Sequence, residues 1–178
     1  MLMRHSLTGL TRVGLSAAVI ALLAQIAVPL PSGVALTLQT FAVALVGRLL
    51  GARQGTLAAA VYVAVGCAGL PVFAGLRGGF AVLAGPSGGF LWGFLALAAC
   101  SGVGKGRAAR CVLPAVGLVL CHLAGSVQYA VVAGLPLGAA AAAVSLPYAV
   151  KDAVSVVLAL TLAGRIAPRL LPVYRGKA

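Results

Sequence analysis

The chain has 178 residues, 62% apolar and 8% charged, with 13 Lys and Arg against a single acid, Asp152, and a formal net charge of +12. Soluble domains carry about 25% charged residues, so an ordinary soluble fold is excluded, and the apolar content excludes disorder. Chemistry that needs two carboxylates is excluded too, and the length fits one domain, residues 1–178, with enough apolar side chains to face lipid as well as a core.

Six mainly apolar runs lie between the charged residues, at roughly 13–30, 34–50, 55–71, 88–104, 111–133 and 146–165. A membrane span takes about 20 such residues. The runs are unbroken, whereas a membrane β-barrel alternates in segments of about 10. The expected fold is therefore an all-α integral membrane protein with six transmembrane helices. Abundant Gly and Ala allow close helix approach in lipid.

Arg4, His5 and Arg12 precede the first run, which has the length of a signal peptide. No small-x-small cleavage site follows, so a retained first helix is expected. Pro29, Pro31 and Gly33 end the run in a short turn, and Thr37-Leu38-Gln39-Thr40 opens the second. After the third run comes Gly69-Leu70-Pro71-Val72-Phe73-Ala74-Gly75, then Arg77-Gly78-Gly79-Phe80, then Gly85-Pro86-Ser87-Gly88-Gly89-Phe90. This Gly-rich outer loop between the third and fourth helices has almost no polar side chains, so it is expected to fold back over the bundle as a lid or lining. Gly85, Gly89 and Gly93 lie four apart and give the fourth run a flat packing face.

His122 falls near the start of the fifth run and is expected to pack between helices close to the cytoplasmic face, a ligand or proton role being the other reading. Cys67, Cys100, Cys111 and Cys121 sit in or beside apolar runs without a Cys-x-x-Cys pair, and read as small apolar residues rather than metal ligands. Before the last run, Ser145 is a candidate N-cap and Pro147 suits a first helical turn. Asp152 then lies roughly 9 Å into that helix. A charge at membrane depth costs about 2.5–3.5 kcal/mol, so Asp152 is expected to face the bundle interior. Otherwise Lys151 neutralises it, or both snorkel outward.

With both termini in the cytoplasm, 11 of the 13 basic residues fall on the cytoplasmic side: Arg4, Arg12, Arg48, Arg53, Lys105, Arg107, Arg110, Arg165, Arg169, Arg175 and Lys177. The positive charge thus reads as topology and attraction to anionic lipid. Nucleic acid is not an expected partner, because no stacking aromatics are interleaved with the charge. No P-loop, His-Glu-x-x-His or Gly-x-Ser-x-Gly motif occurs. An enzyme with catalytic or metal-binding residues is not expected, and uphill transport would take its energy from elsewhere.

Thr-Leu-Gln-Thr at 37–40, Gly-Leu-Pro-Val-Phe-Ala-Gly at 69–75, Gly-Pro-Ser-Gly-Gly-Phe at 85–90 and Pro-Tyr-x-x-x-Asp at 147–152 resemble the BioY family. These are the biotin-specific substrate-binding (S) components of energy-coupling-factor transporters, and the resemblance runs from about 17 to 165. It implies a six-helix membrane protein of the bacterial cytoplasmic membrane, with a biotin site near the outer face. It also implies a membrane T component and two ATPase subunits as partners, the ATP being theirs, and no cofactor. An S component for another vitamin, or a membrane scaffold that binds no solute, are the rival readings.

The ligand chemistry suits the residues. A buried carboxylate is a good acceptor for ureido N–H groups, and Asp152 is the only candidate. Phe73, Trp92, Tyr129 and Tyr148 offer apolar walls. The ligand carboxylate calls for Lys151, Arg77 or the backbone N–H groups of Gly78 and Gly79, though Arg77 serves equally as an interfacial anchor. The family usually carries Pro-Phe-x-Pro-Gly-Asp-x-x-Lys in the last helix. Here Lys151 precedes Asp152, and Ser155 stands where that Lys is expected. Positions 151 and 155 share a helix face, so Lys151 is placed to supply the charge. Gln128 replaces a family Trp and is a further candidate polar contact. The family meets its T component through an Ala-x-x-x-Ala pattern on the first helix, which Ala17 and Ala21 match.

Overall fold

The computed structural model describes the backbone of residues 2–104 and 106–170, and the side chains of 7–104, 106 and 108–168. The side chains of Arg4, His5, Lys105, Arg107, Arg169, Arg175 and Lys177, used in the charge and leader arguments, lie outside that description. In chain order the elements are α1 (Leu2–Ala24), β1 (Ala27–Val28), β2 (Leu36–Thr37), α2 (Gln39–Cys67), α3 (Phe80–Ala84), α4 (Gly88–Gly102), α5 (Arg107–Ala133), α6 (Leu137–Val144) and α7 (Leu146–Leu170). The protein is mostly helical. Among the described residues, four stretches, Leu7–Ala24, Gln39–Cys67, Ala108–Ala133 and Leu146–Pro168, are long and apolar enough to cross a membrane, and Gly88–Gly102 is a shorter apolar helix.

The second and third apolar runs form one element, α2, that is not straight. Gly51 sits at φ 80°, ψ 167°, a conformation open essentially to glycine. The chain folds back there. Gln39 Nε2 donates to Tyr62 Oη at 2.5 Å, whereas 23 residues of straight helix would separate them by roughly 34 Å. The two arms touch through glycine: a Cβ on Gly55 would run into the Gly47 Cα.

Small residues set the rest of the bundle. A side chain at Gly47 would strike the Ala98 backbone, at Gly93 that of Cys121, at Gly89 the Ala124 carbonyl, and at Gly102 the start of the second α2 arm. These contacts bring α4 between α2 and α5 at near-backbone distance. Gly89 and Gly93 form the flat face expected of the fourth run, while Gly85 ends α3. The main core gathers Val13, Ile20, Val43, Tyr62, Phe73, Leu97 and Val156 from α1, α2, α4, α7 and the loop before α3. Many outward side chains, such as Leu15, Leu22, Trp92, Val119, Val150 and Val157, are apolar and exposed, as lipid contact requires.

Two boundaries differ from the apolar runs. The first run continues to residue 30 in composition, but the helix stops at Ala24 and the chain turns into the β1–β2 ribbon, pairing Ala27 with Thr37; Pro29 and Pro31 cannot continue a helix. The last run is preceded by α6, so Ser145 ends one helix and stands just before the next, its hydroxyl turned to His122 and Ser126. Its N–H donates to Ala141 O and its carbonyl accepts from Ala149 N, so the helical path runs from α6 into α7. The break between them falls just before Pro147, which lacks the N–H the path needs.

Candidate functional site

The late starts of α2 and α4 leave one end of the bundle to irregular backbone. Residues 29–38 and 68–87 fill that space and, with α7, enclose a small cavity. Val34, Ala35 and Thr37 form one side, Gln39 and Thr40 of α2 another, Phe73, Ala74 and Arg77 a third. Phe90, Leu91 and Phe94 of α4 and Tyr148, Lys151 and Asp152 of α7 complete it. Its volume is about 50 Å³, room for a few waters at roughly 10–15 Å³ each.

The floor is a buried charge pair. Asp152 is 5% exposed. Its Oδ1 is paired with Lys151 Nζ, and its Oδ2 lies 3.4 Å from His122 Nε2. Lys151 Nζ also donates to the Thr37 carbonyl at 2.7 Å, tying α7 to β2. Lys151 thus does not snorkel to the headgroups; it bends back over the acid beside it. An unpaired acid buried here would cost several kcal/mol, and the ammonium and the imidazole beside it offset that.

The irregular walls are pinned by side chains from the helices. Tyr148 Oη donates to the Val34 carbonyl at 2.5 Å and lies 3.2 Å from Ser32 Oγ. Tyr148 also packs with Val34 and Val144 in a second apolar cluster, against which Tyr129 rests. Gln25, just beyond α1, donates to the carbonyls of Ala21, Val72 and Phe73 and accepts from Leu76 N. That grip holds Leu76 at φ 55°, an uncommon conformation for a side-chain-bearing residue. Phe73 is seated edge-on against Tyr62, with ring centroids 5.6 Å apart at 87°, in a space that only the missing side chain of Gly66 leaves open. Arg77 is folded onto its own loop by a 3.1 Å bond from Nε to the Ala74 carbonyl.

Of the residues singled out in the sequence, Asp152, Lys151, Tyr148, Phe73 and Arg77 meet around this cavity. The others stand elsewhere. Gln128 donates to the Leu83 and Gly85 carbonyls at 2.7 and 2.8 Å, bracing α3 rather than lining the cavity. The Gly79 N–H is taken by the Gly66 carbonyl at 2.7 Å, and Gly78 is pressed against the Leu70 carbonyl. Ser155 is buried one turn below Lys151. Trp92 is 52% exposed and points away from the cavity. Ala17 and Ala21 line a separate apolar groove between α1 and the second arm of α2.

His122 requires a correction. The sequence reading places it near the start of its run and close to the cytoplasmic face, remote from Asp152. It is the sixteenth of the 27 residues of α5, about halfway along, and its Nε2 lies 3.4 Å from Asp152 Oδ2. Gln39, Thr40 and Phe90 are wall residues that the sequence reading does not single out. Thr-Leu-Gln-Thr is a visible signal for the first two, while Phe90 is hidden among other apolar residues.

Replacing Lys151 with Ala is expected to weaken binding of an anionic ligand about tenfold, the value of one hydrogen bond between charged groups. Adding Ser155→Lys should restore part of that loss, because a side chain at 155 leans toward the helix N-terminus and so toward 151. Titrations of both variants check this. Wild-type affinity in Lys151→Ala would leave Lys151 with only its structural ties to Asp152 and Thr37.

A family model described as the BioY family matches residues 1–171. The biotin transporter BioY of Thermotoga maritima is 49% identical over 86 residues, 48% of this chain and 50% of that one. The biotin transporter BioY2 of Lactococcus lactis is 47% identical over 91 residues, 51% of this chain and 50% of that one. The chain spans about half the length of these two relatives. The probable biotin transporter BioY of Pyrococcus horikoshii is 36% identical over 147 residues, 80% of this chain and 86% of that one. A crystal structure of the S-component for biotin from an ECF-type ABC transporter superposes with a TM-score of 0.82 over 93% of this chain and 94% of that one, at 23% identity, a likeness of fold.

Proposed function

The chain belongs to the BioY family, and on that premise we propose that it binds biotin and passes it across the bacterial cytoplasmic membrane as the S component of an energy-coupling-factor transporter. It acts as a binding and transport subunit, not an enzyme, and uses no cofactor. A membrane T component and ATPase subunits supply the energy; this chain has no P-loop. The observation that carries the reading is the placement of the only acid, buried beside Lys151 in a cavity walled by Phe73, Phe90 and Tyr148.

The membrane topology proposed is six crossings: α1, the two arms of α2, α4, α5 and α7, with both termini in the cytoplasm. The arms at 39–50 and 52–67 and the 15 residues of α4 span roughly 18, 24 and 22 Å, less than the roughly 30 Å hydrocarbon core. Irregular backbone makes up the difference, and it is tolerated at depth where it lines a cavity. The site is therefore a product of short helices.

In this site the ureido N–H groups of biotin donate to Asp152. Each carboxylate oxygen accepts more than one bond, so its ties to Lys151 and His122 leave capacity for a ligand. The thioether ring lies among Phe73, Phe90 and Tyr148. Arg77, on the loop wall, provides positive charge for the carboxylate tail, while Lys151, paired with Asp152, stays at the ureido end. A bicyclic ligand with a tail exceeds the space of a few waters, so its admission moves the 29–38 and 69–79 segments outward. The Tyr148–Val34 and Gln25–Val72 bonds are the ties that this motion strains.

Cells unable to make biotin, supplied with this chain and the T and ATPase subunits of its source organism, are expected to accumulate labelled biotin. An excess of unlabelled biotin should compete. Uptake of a different vitamin with biotin excluded would overturn the proposed substrate.

A further inference from the structure

Asp152 is held from behind by a group that does not touch the cavity. His122 Nε2 lies 3.4 Å from Asp152 Oδ2, on a side chain 14% exposed. Its Nδ1 is 3.2 Å from Ser145 Oγ, and Ser145 Oγ is 2.7 Å from Ser126 Oγ. The Phe90 ring meets the imidazole edge-on, with centroids 5.8 Å apart at 89°. The ring is thus fixed by a hydroxyl chain on one side, an aromatic face on another and the acid at its tip. Three elements converge to do this: α5 gives His122 and Ser126, the α6–α7 junction gives Ser145, and α7 gives Asp152.

We propose that His122 is a positioning residue for ligand binding: it orients the Asp152 carboxylate toward the cavity, and Ser145 and Ser126 orient His122. The inference rests on the reading of the cavity as a ligand site. A carboxylate oxygen only accepts, so Nε2 carries a proton whether the ring is neutral or charged. In the neutral ring Nδ1 accepts from the Ser145 hydroxyl, and Ser126 in turn donates to Ser145. The Ser145 hydroxyl also lies 3.4 Å from the His122 carbonyl, so it is shared between the ring and the backbone of the residue it orients. An apolar side chain would fill the same volume but leave Oδ2 without this donor, and the carboxylate would turn toward Lys151 and the Thr40 hydroxyl. The break before Pro147 serves the arrangement, since it sets Ser145 opposite His122 and Ser126.

The test is biotin titration of the full-length chain in detergent, as wild type, His122→Ala, His122→Gln, Asp152→Asn and His122→Ala with Asp152→Asn. His122→Ala is expected to weaken binding about tenfold, as for a hydrogen bond to a charged group. His122→Gln keeps an N–H donor and should recover most of that. In the Asp152→Asn background, removing His122 should add nothing, because its effect passes through Asp152. Wild-type affinity in His122→Ala overturns the proposal, as does an equal loss in both backgrounds, which marks simple packing. Thermal unfolding of the same set gives a second cycle that needs no ligand: coupled shifts in midpoint support the contact, and additive shifts overturn it. Absence of biotin binding by the wild type would instead refute the functional reading, with the thermal cycle still deciding the contact.

Discussion

Asp152→Asn is expected to weaken biotin binding by about 10- to 100-fold while the chain remains folded. A hydrogen bond to a charged group contributes roughly 1.5–3 kcal/mol net, and each 1.4 kcal/mol is a factor of ten. The amide keeps the shape of the carboxylate but is a weaker acceptor and presents an N–H₂ group to Lys151. Lys151 would lose its counter-charge, which lowers stability. It keeps its bond to the Thr37 carbonyl and is 24% exposed, so the cost stays below that of a fully buried orphan. The variant should elute as the wild type does in detergent and unfold at a lower temperature. Unchanged affinity would remove Asp152 from the site.

The second large effect belongs to Ala21→Trp, which is expected to abolish energised uptake and leave biotin binding intact. Ala21 lies on α1 beside the groove formed with the second α2 arm, where Gly14, Ala17 and Ala18 keep the helix surface flat. In the proposed assembly the T component packs on this face, and small residues permit that approach. An indole there blocks a partner helix. The groove and the cavity have no lining residue in common, so binding is spared. Ala17 lines the same groove but is only 7% exposed, so Ala17→Trp should disturb the packing of α1 on α2 as well as coupling. Uptake and binding lost together in Ala21→Trp would mark position 21 as part of internal packing.

The class of fold was legible because lipid imposes a simple rule. A charge-poor chain with long apolar runs has few alternatives to a helical bundle. The Gly-rich apolar loop was legible for the same reason: backbone without polar side chains has to find its partners within the protein. It does so through ties that composition does not encode, namely the Gln25 and Gln128 amides. Both residues sit in apolar stretches and look like isolated polar residues. Each reaches a backbone more than 40 residues away in sequence, which a linear reading cannot connect.

The candidate site was half visible. Asp152 stood out as the only acid, and Lys151, Tyr148, Phe73 and Arg77 followed from nearby motifs. Their meeting depends on features that apolar patterning blurs. Gly51 turns α2 back on itself, yet among 24 glycines nothing local marks it as the turn. His122 was read too near the start of its run, although eleven residues past position 111 is already about 16 Å of depth. Asp152 itself was placed well, since α7 begins at Leu146 as the last run suggested; the misplaced partner was His122. An error of depth, rather than of helix type, separated two residues whose side chains are neighbours.

The central claim is that this cavity takes biotin through Asp152. The most direct measurement is equilibrium retention of labelled biotin by the purified chain in detergent, run beside Asp152→Asn. Saturable binding by the wild type, displaced by unlabelled biotin and sharply weakened in the variant, is the predicted result. No saturable retention, or equal retention by both proteins, would contradict it.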